Sequence, residues 1–319
     1  FEITGSDACE FLQYLAVANI DKAIGGAAYS QLCNARGGIE AEVTIIRRAQ
    51  DRFWLMTGSA LGIRDRHWIE TNLRDYKGGS ADVRLADISS AYGVINLAGP
   101  QARKVLEKIC DTDVSHAGFP FMSAQDIRIG YAPALAYRVT YIGELGWELY
   151  IPTEYMQYAY EVLQAAGQEF GVCNTGYRAI DSLRLEKGYL AWGVDITPDY
   201  NPFEAGLQFL IDWNKGDFIG AKALAKIKTQ GSARKLVCLA LDKPLPVFGG
   251  EAIFADGKAI GQTTSGNYGY TVGQSLVLGY LPAELVDAGE FEVEAFGERS
   301  RATRIKGSAY DPDRLKILC

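Results

Sequence analysis

The stretch Tyr141-Ile142-Gly143-Glu144-Leu145-Gly146-Trp147-Glu148-Leu149-Tyr150 carries two phenols and a carboxylate at a spacing that strand alternation can bring together. With Tyr137–Ile142 and Trp147–Ile151 as strands joined by the loop 143–146, Ile142 lies opposite Trp147 and Tyr141 opposite Glu148. Val139, Tyr141, Glu148 and Tyr150 then share one face, and Thr140, Ile142, Trp147 and Leu149 the other. Directly opposed Cβ atoms stand about 5 Å apart. The second set is a core face. The first is either the half-exposed face of an ordinary strand pair or a slot for a flat polar heterocycle. Such a slot offers phenol walls for the ring faces and a carboxylate for paired N–H donors on the ring edge.

A second group of acids lies in Glu40-Ala41-Glu42-Val43-Thr44-Ile45-Ile46. Period two puts Glu40, Glu42 and Thr44 on one face and Val43 and Ile45 on the other. The acids are either solvated, or one is a general base or an electrostatic partner for a developing cation. Gly37-Gly38 just before them allows a sharp turn or a close backbone approach. Asp181 and Arg184 are spaced i,i+3 on a helix and read as a structural ion pair. Asn201-Pro202-Phe203-Glu204 opens a loop, and composition places Phe209, just beyond it, in a core. His67 and His116, the two histidines, show no partner and read as structural or surface residues.

These groups must be carried by a mixed set of elements. Residues 1–5 read as the end of a strand already under way, so a leader or a domain is expected before Phe1. Ser6-Asp7-Ala8 caps a helix to about Val17. Strands are expected at Ala41–Arg47, Phe53–Thr57, Ala81–Ile88 and Tyr92–Leu97, and a helix at Arg64–Leu73. Gly99-Pro100 starts a helix with Pro at its first position and a stripe of Ala102, Val105, Leu106 and Ile109. Another helix, capped by Thr153, carries Met156, Ala159, Tyr160, Leu163 and Phe170 and stops at Gly171. Gly176–Lys187 and Gly220–Lys228 are helical. Residues 234–319 alternate strands with glycine-rich turns, as a small antiparallel barrel does.

Composition narrows the function classes. The chain has 319 residues, 48% of them hydrophobic, which provides a substantial core. A net charge of −7 argues against a nucleic-acid binder. No apolar run is long enough to span a bilayer and no signal peptide is visible. Six cysteines without a C-x-x-C pair argue for a reducing compartment and against a disulfide framework or a zinc site. No G-x-G-x-x-G follows a strand and no Walker A sequence occurs, so a dinucleotide site is not expected.

The 141–150 stretch resembles the Y-T-G-E-x-G-x-E signature of the glycine cleavage system aminomethyltransferase. Gly37-Gly38-Ile39, Leu183-Arg184-Leu185-Glu186 and Asn201-Pro202-x-Glu204 do so too. More closely, the chain resembles the C-terminal folate-binding half of dimethylglycine and sarcosine dehydrogenases. The shared blocks include residues 97–103, Leu183–Lys187 with Ala191-Trp192-Gly193, Asp217–Gly220 and Thr263–Gly266. Less closely, it is similar to a regulatory subunit of a pyruvate dehydrogenase phosphatase.

The resemblance implies an α+β, three-subdomain cloverleaf around a central tetrahydrofolate channel. Residues 1–230 would form the folate-binding domain and 231–319 the C-terminal barrel. It also implies capture of the one-carbon unit of an iminium as 5,10-methylenetetrahydrofolate. The FAD domain that oxidises the N-methyl amine would lie upstream or on a partner chain. No metal, membrane or nucleic acid is implied, and a bacterial cytoplasm or mitochondrial matrix fits.

The essential acid of the family falls at Glu42, where the aminomethyltransferase carries Asp. Val43 and Thr44 continue that strand. The pterin-facing pair falls at Tyr141 and Glu148, with Leu149 and Tyr150 adjoining. A further folate-side tyrosine falls at Tyr29 and an aromatic wall at Phe209. Ile180 and Gly58 stand where the aminomethyltransferase has Arg and Asn. Other folate-dependent demethylation, or a non-catalytic regulatory role on this scaffold, are the alternatives.

Overall fold

The computed structural model describes residues 1–287 and 289–319. The first lobe comprises β1 (Glu2–Thr4), α1 (Ala8–Leu15), β2 (Ala27–Cys33), β3 (Ile39–Ala49), β4 (Arg52–Met56), α2 (Gly62–Asp75) and β5 (Arg84–Ala86). Its sheet order is β2-β3-β4-β1-β5. Alternation in β3 decides what each face does. Ala41, Val43 and Ile45 point into a core shared with Phe11, Leu12 and Leu15 of α1 and Ile69 of α2. Glu42, Thr44 and Ile46 therefore face the other way.

The second lobe comprises β6 (Tyr92–Ala98), α3 (Ala102–Glu107), β7 (Ala124–Ile129), β8 (Ala132–Arg138), β9 (Gly146–Pro152) and α4 (Met156–Gly167). Its sheet order is β6-β9-β8-β7. One face packs Trp147, Leu149 and Ile151 against Val105 and Leu106 of α3 and Leu163 of α4. The other face meets the first lobe. Ala27, Ile46 and Trp54 of one sheet pack with Leu135, Tyr137 and Tyr150 of the other. Trp54 stands edge-on to the Tyr150 ring, centroids 6.3 Å apart.

Two helices, α5 (Tyr177–Glu186) and α6 (Ala221–Gln230), lead to a closed antiparallel barrel. Its strands are β10 (Arg234–Leu241), β11 (Ala252–Ala255), β12 (Lys258–Gly269), β13 (Gln274–Pro282), β14 (Phe291–Ala295) and β15 (Glu298–Ile305). Leu239, Ile253, Val277 and Val293 fill its interior. On its outer side Cys238, Leu276 and Leu278 pack on Leu185 of α5. The architecture is the α+β cloverleaf with a terminal barrel that the resemblance implied. Among the described residues, no helix is long and apolar enough to cross a membrane.

Local details differ from the sequence expectations. The β8–β9 hairpin pairs Tyr137 with Glu148 and Arg138 with Trp147, and its connection spans residues 139–145. Thr140 explains the longer loop, because its hydroxyl accepts the backbone N–H of Ile142 at 3.3 Å and of Gly143 at 3.0 Å. The register is displaced by four residues in sum, an even number, so Glu148 and Tyr150 keep the expected face. Tyr141 loses its place opposite Glu148 to Tyr137.

Helix α3 begins at Ala102 with Gln101 as its N-cap, so Pro100 precedes the helix instead of opening it. Thr153 starts a 3-10 turn and its hydroxyl bonds the Ser90 carbonyl, 2.9 Å away, not α4. Tyr160 is exposed and off the buried stripe of α4. Gly37 turns the chain at φ +87°. A side chain at Gly38 would run into the carbonyl of Pro198, so this glycine admits the 190–200 segment to the end of β3.

Candidate active site

The two facing sheets and the barrel-side segment around residue 195 enclose a group of carboxylates and phenols. Glu42 projects from the middle of β3 with Thr44 on the same face. Its strand neighbours on β2 are Tyr29, opposite Thr44, and Gln31, opposite Glu42 itself. The Tyr29 hydroxyl donates to Glu42 Oε1. Among the described residues no cation pairs with Glu42. Burial first, and the negative charge of Asp195 second, push its carboxyl up to about 8.

Glu40, two residues away, has a different environment. Arg64 holds it, Asn34 Nδ2 donates to it at 2.9 Å, and Arg64 also reaches Asp65 at 3.0 Å. Of the two acids on β3, one is paired with a cation and the other, among the described residues, is not.

On the opposed sheet Glu148 lies on β9 between Tyr137 of β8 and Asn96 of β6. Tyr137 is buried and Asn96 exposed, so the face is dry on one side and open on the other. The Tyr150 hydroxyl donates to Glu148 Oε2 at 2.5 Å. Burial raises the Glu148 pKa, and the Tyr150 hydrogen bond opposes that rise. Burial and the adjacent Glu148 keep the Tyr150 phenol protonated. Tyr137 places its hydroxyl 3.0 Å from Met122 Sδ and beside Thr44 of the opposite sheet.

Tyr141 sits in the 139–145 connection, 38% exposed, parallel to the Tyr189 ring with centroids 6.2 Å apart. Its hydroxyl donates to the Leu190 carbonyl at 2.9 Å, and Glu42, Asp195 and Arg184 all lie within electrostatic reach of it.

The structure thus links Tyr29 to Glu42, Tyr137 to Thr44 and Glu148, and Tyr150 to Glu148, with Tyr141 within electrostatic reach of Glu42. It does not bring the side chains of Val43 and Leu149 to these groups. Both belong to the opposite faces of their strands and are core residues. Phe209 lies on a 3-10 turn and is 74% exposed, so it belongs to neither a core nor an enclosed wall. The Asp181–Arg184 ion pair forms as expected, at 2.8 Å. His67 is exposed, and His116 Nδ1 lies 3.3 Å from Arg138.

Three residues escaped the sequence reading. Tyr137 is the phenol opposite Glu148. Gln31 is fully buried with neither amide atom paired. A period-two reading along 27–33 from Tyr29 would have found it. Asp195 is fully buried at the junction of three segments remote in sequence, and no local pattern signals it.

The chemistry of this donor set suits a reduced pterin. A carboxylate such as Glu148 can accept N–H donors, Gln31 has an unpaired donor and acceptor, and phenols lie beside both acids.

Two sheets closing on a desolvated acid, with a barrel docked behind it, define a folate-dependent domain of the aminomethyltransferase type. The family model described as the GCVT N-terminal domain matches residues 1–215, and that of the glycine cleavage T-protein C-terminal barrel domain matches residues 234–311. The chain belongs to this glycine cleavage T-protein family.

Mitochondrial dimethylglycine dehydrogenase of Mus musculus is 41% identical over 310 residues, covering 96% of this chain and 35% of that protein. Mitochondrial sarcosine dehydrogenase of Mus musculus is 33% identical over 339 residues, covering 99% of this chain and 37% of that protein. The chain therefore spans about a third of the length of these relatives. The crystal structure of glycine cleavage system aminomethyltransferase T from Bartonella henselae superposes with a TM-score of 0.84 at 28% identity, covering 96% of this chain and 82% of that one.

Proposed function

We propose that this chain is the tetrahydrofolate-dependent one-carbon transfer module of a demethylating flavoenzyme acting on an N-methyl amine of the dimethylglycine or sarcosine type. Residues 1–230 would serve as its folate-binding unit and 231–319 as its barrel. The observation that carries the reading is Glu42: among the described residues no cation pairs with it, burial and Asp195 push it up to about 8, and the opposed sheet carries a second desolvated carboxylate, Glu148, with Tyr137 linking the two sheets through Thr44. Tetrahydrofolate, when bound, supplies the two nucleophilic nitrogens that take up the methylene of an iminium to give 5,10-methylenetetrahydrofolate.

The chain's own residues would divide the remaining work. Glu148, fixed by Tyr150, accepts N–H donors from the heterocycle edge and sets its orientation. Gln31 offers the amide that the protein itself leaves unpaired. Tyr141 and Tyr137 border the slot. Glu42 holds a proton near neutral pH and can both give and take one, and in its ionised form it stabilises a neighbouring cation in a site with little water. Transfer releases two N–H protons from the acceptor. The departing amine takes them up as it becomes a protonated amine, secondary from a dimethylglycine-type and primary from a sarcosine-type iminium, and Glu42 would relay them.

An FAD domain, in cis or on a partner chain, would generate the iminium. The family relationship to flavin-dependent dehydrogenases supports that partner, and a mitochondrial matrix or a bacterial cytoplasm as the setting. The amine specificity belongs to the flavin side.

The test is Glu42→Gln. Tetrahydrofolate affinity, measured by titration calorimetry, should change less than threefold, while methylene transfer falls by at least about 10²-fold, the scale of acid–base catalysis. Transfer at the original rate would refute the role of Glu42. Absence of tetrahydrofolate binding by the unaltered chain would favour a regulatory module.

A further inference from the structure

Gln31 of β2 is fully buried, and neither its amide oxygen nor its amide nitrogen has a hydrogen-bond partner among the described residues. Its main chain is well held. The carbonyl accepts the Val17 N–H at 3.0 Å and the Ser30 hydroxyl at 3.2 Å. Only the side chain is left without partners. A buried amide with nothing to bond lowers stability, and an apolar side chain of the same shape removes that cost. The chain keeps a destabilising group at this position.

Alternation along β2 fixes the face on which the group lies. Ala28 and Leu32 belong to the core of the first lobe. Ala27 belongs to the packing between the two sheets, and the Tyr29 hydroxyl reaches Glu42. Gln31 shares the face of Ala27 and Tyr29. In the antiparallel register it stands directly opposite Glu42. Their Cβ atoms are then about 5 Å apart. Glu42 is partly accessible, and no hydrogen bond has to break for the Gln31 amide to turn toward a ligand beside that acid.

The chemistry of an amide selects the ligand edge. An amide presents one donor and one acceptor side by side, so it pairs with an edge that carries an acceptor next to a donor. A carboxylate such as Glu148, on the opposed sheet, suits two N–H donors together. A tetrahydropterin has both kinds of edge. Its amino group and N3–H form the donor pair. Its C4 carbonyl and N5–H form an acceptor–donor pair, and so do N1 and N8–H. Of these last two, only the first contains a nitrogen that takes up the methylene, and Gln31 is the cross-strand neighbour of the acid assigned to that chemistry.

Resting on the reading of the chain as a tetrahydrofolate-dependent transfer module, we propose that Gln31 is a specificity-determining residue that pairs with the C4 carbonyl and N5–H of the bound folate, and so distinguishes the folate that can accept a methylene from the one that already carries it. Once N5 bears a carbon it has no hydrogen to donate. The Gln31 carbonyl is then stranded in a buried place, the product is held less tightly than the substrate, and its release is favoured.

The experiment compares the intact chain with Gln31→Met, which keeps length and bulk without the amide, and with Gln31→Leu. In the absence of ligand both variants should melt about 2 °C higher than the unaltered protein. Calorimetric titration with tetrahydrofolate and with 5-methyltetrahydrofolate then separates the edges. The methyl derivative is a matched probe, because the product of the proposed reaction also carries a carbon on N5. Both variants should bind tetrahydrofolate roughly tenfold more weakly, and 5-methyltetrahydrofolate within about threefold of the unaltered affinity.

A lower melting temperature in both variants overturns the proposal, since the amide would then be satisfied in the empty protein. So does an unchanged affinity for tetrahydrofolate, and so does an equal weakening for the two folates, which would put Gln31 on another edge. No binding of the methyl derivative to any of the three proteins counts against it, because the discrimination would then be steric. Failure of both variants to fold also counts against it, since the amide would then be required for folding. Absence of tetrahydrofolate binding by the unaltered chain is a separate failure: it refutes the reading of the site, and this proposal with it, before any substitution is made.

Discussion

At the scale of single residues, two chemically identical acids two positions apart on β3 have opposite fates. Glu40 is paired with Arg64 and hydrogen-bonded by Asn34; among the described residues Glu42 accepts from the Tyr29 phenol, pairs with no cation, and feels the negative charge of Asp195. The difference has a consequence for stability that is independent of catalysis. In the unfolded chain Glu42 ionises near 4.5, and in the folded chain near 8. The native state therefore keeps a proton that the unfolded state has already lost, and stability from this group, full below about 4.5, is lost as pH rises through about 8. Glu42→Gln removes the titration while keeping the shape. The variant and the unaltered protein should be nearly equal in stability at pH 4.5, with the variant more stable by up to roughly 4–5 kcal/mol at pH 8.5. Urea denaturation at the two pH values measures this, and parallel pH dependences would show that Glu42 is not desolvated. At Glu148 the same logic gives a binding prediction. Tyr150→Phe removes the hydroxyl that orients the carboxylate, so tetrahydrofolate affinity should weaken by roughly tenfold, about the value of one hydrogen bond to a charged group. Calorimetric titration would detect an unchanged affinity, which would remove Tyr150 from the site.

At the scale of elements, the sequence made faces legible more reliably than partners. Alternation assigned Glu148 and Tyr150 to one side of β9 and Trp147 and Leu149 to the other, and a register displaced by an even number leaves that assignment intact. The same displacement hid Tyr137, because the Thr140 turn that lengthens the loop is a side-chain effect no hydrophobic pattern encodes. Val43 and Leu149 adjoin site residues along the chain, but period two places both in cores. Asp195 could not be read at all, since its partners Arg184, Thr264 and Tyr280 come from separate segments. Gly38 shows how element contacts can be tested. An alanine there meets the Pro198 carbonyl and Asn34 Nδ2, so Gly38→Ala should cost about 1–3 kcal/mol by overpacking the seat of the 190–200 segment. Gly62, the first residue of α2, has helical φ and nothing within 4 Å of an added Cβ. Gly62→Ala should be neutral or stabilising by up to about 1 kcal/mol. Thermal melts of the two variants shifting in the same direction would contradict this assignment of the two sites.

At the scale of the whole molecule, the chain returns from the barrel to the second lobe and ties the parts together. After β15, the Tyr310 hydroxyl reaches Glu144 in the 139–145 connection, and Ile317 is buried. Arg138 at the end of β8 donates to the carbonyls of Ile317 at 3.1 Å and Cys319 at 2.8 Å. The central tether is Lys187, just past α5. Its ammonium, nearly inaccessible, contacts Asp311 Oδ2 at 3.0 Å and the Asp311 carbonyl at 2.5 Å, and its stem fills the space beside Gly143. One side chain thus touches the helix that carries Arg184, the connection that carries Tyr141, and the returning tail. Truncating one member of a buried pair leaves the other charge without compensation, a loss of roughly 3–5 kcal/mol. Lys187→Met keeps most of the stem, so the change isolates the ammonium. Its expected effect is destabilisation of about 3 kcal/mol, with the segment after residue 305 becoming the first site of proteolytic cleavage. Lys187→Met combined with Asp311→Asn should recover part of the loss, because no buried charge then stands alone. Were the single variant to match the unaltered protein in both denaturation midpoint and cleavage pattern, the tail would be a passenger on the cloverleaf, and closure of the three lobes would have to come from the packing of the two sheets and the contacts of α5 and the Asp195 segment with the barrel.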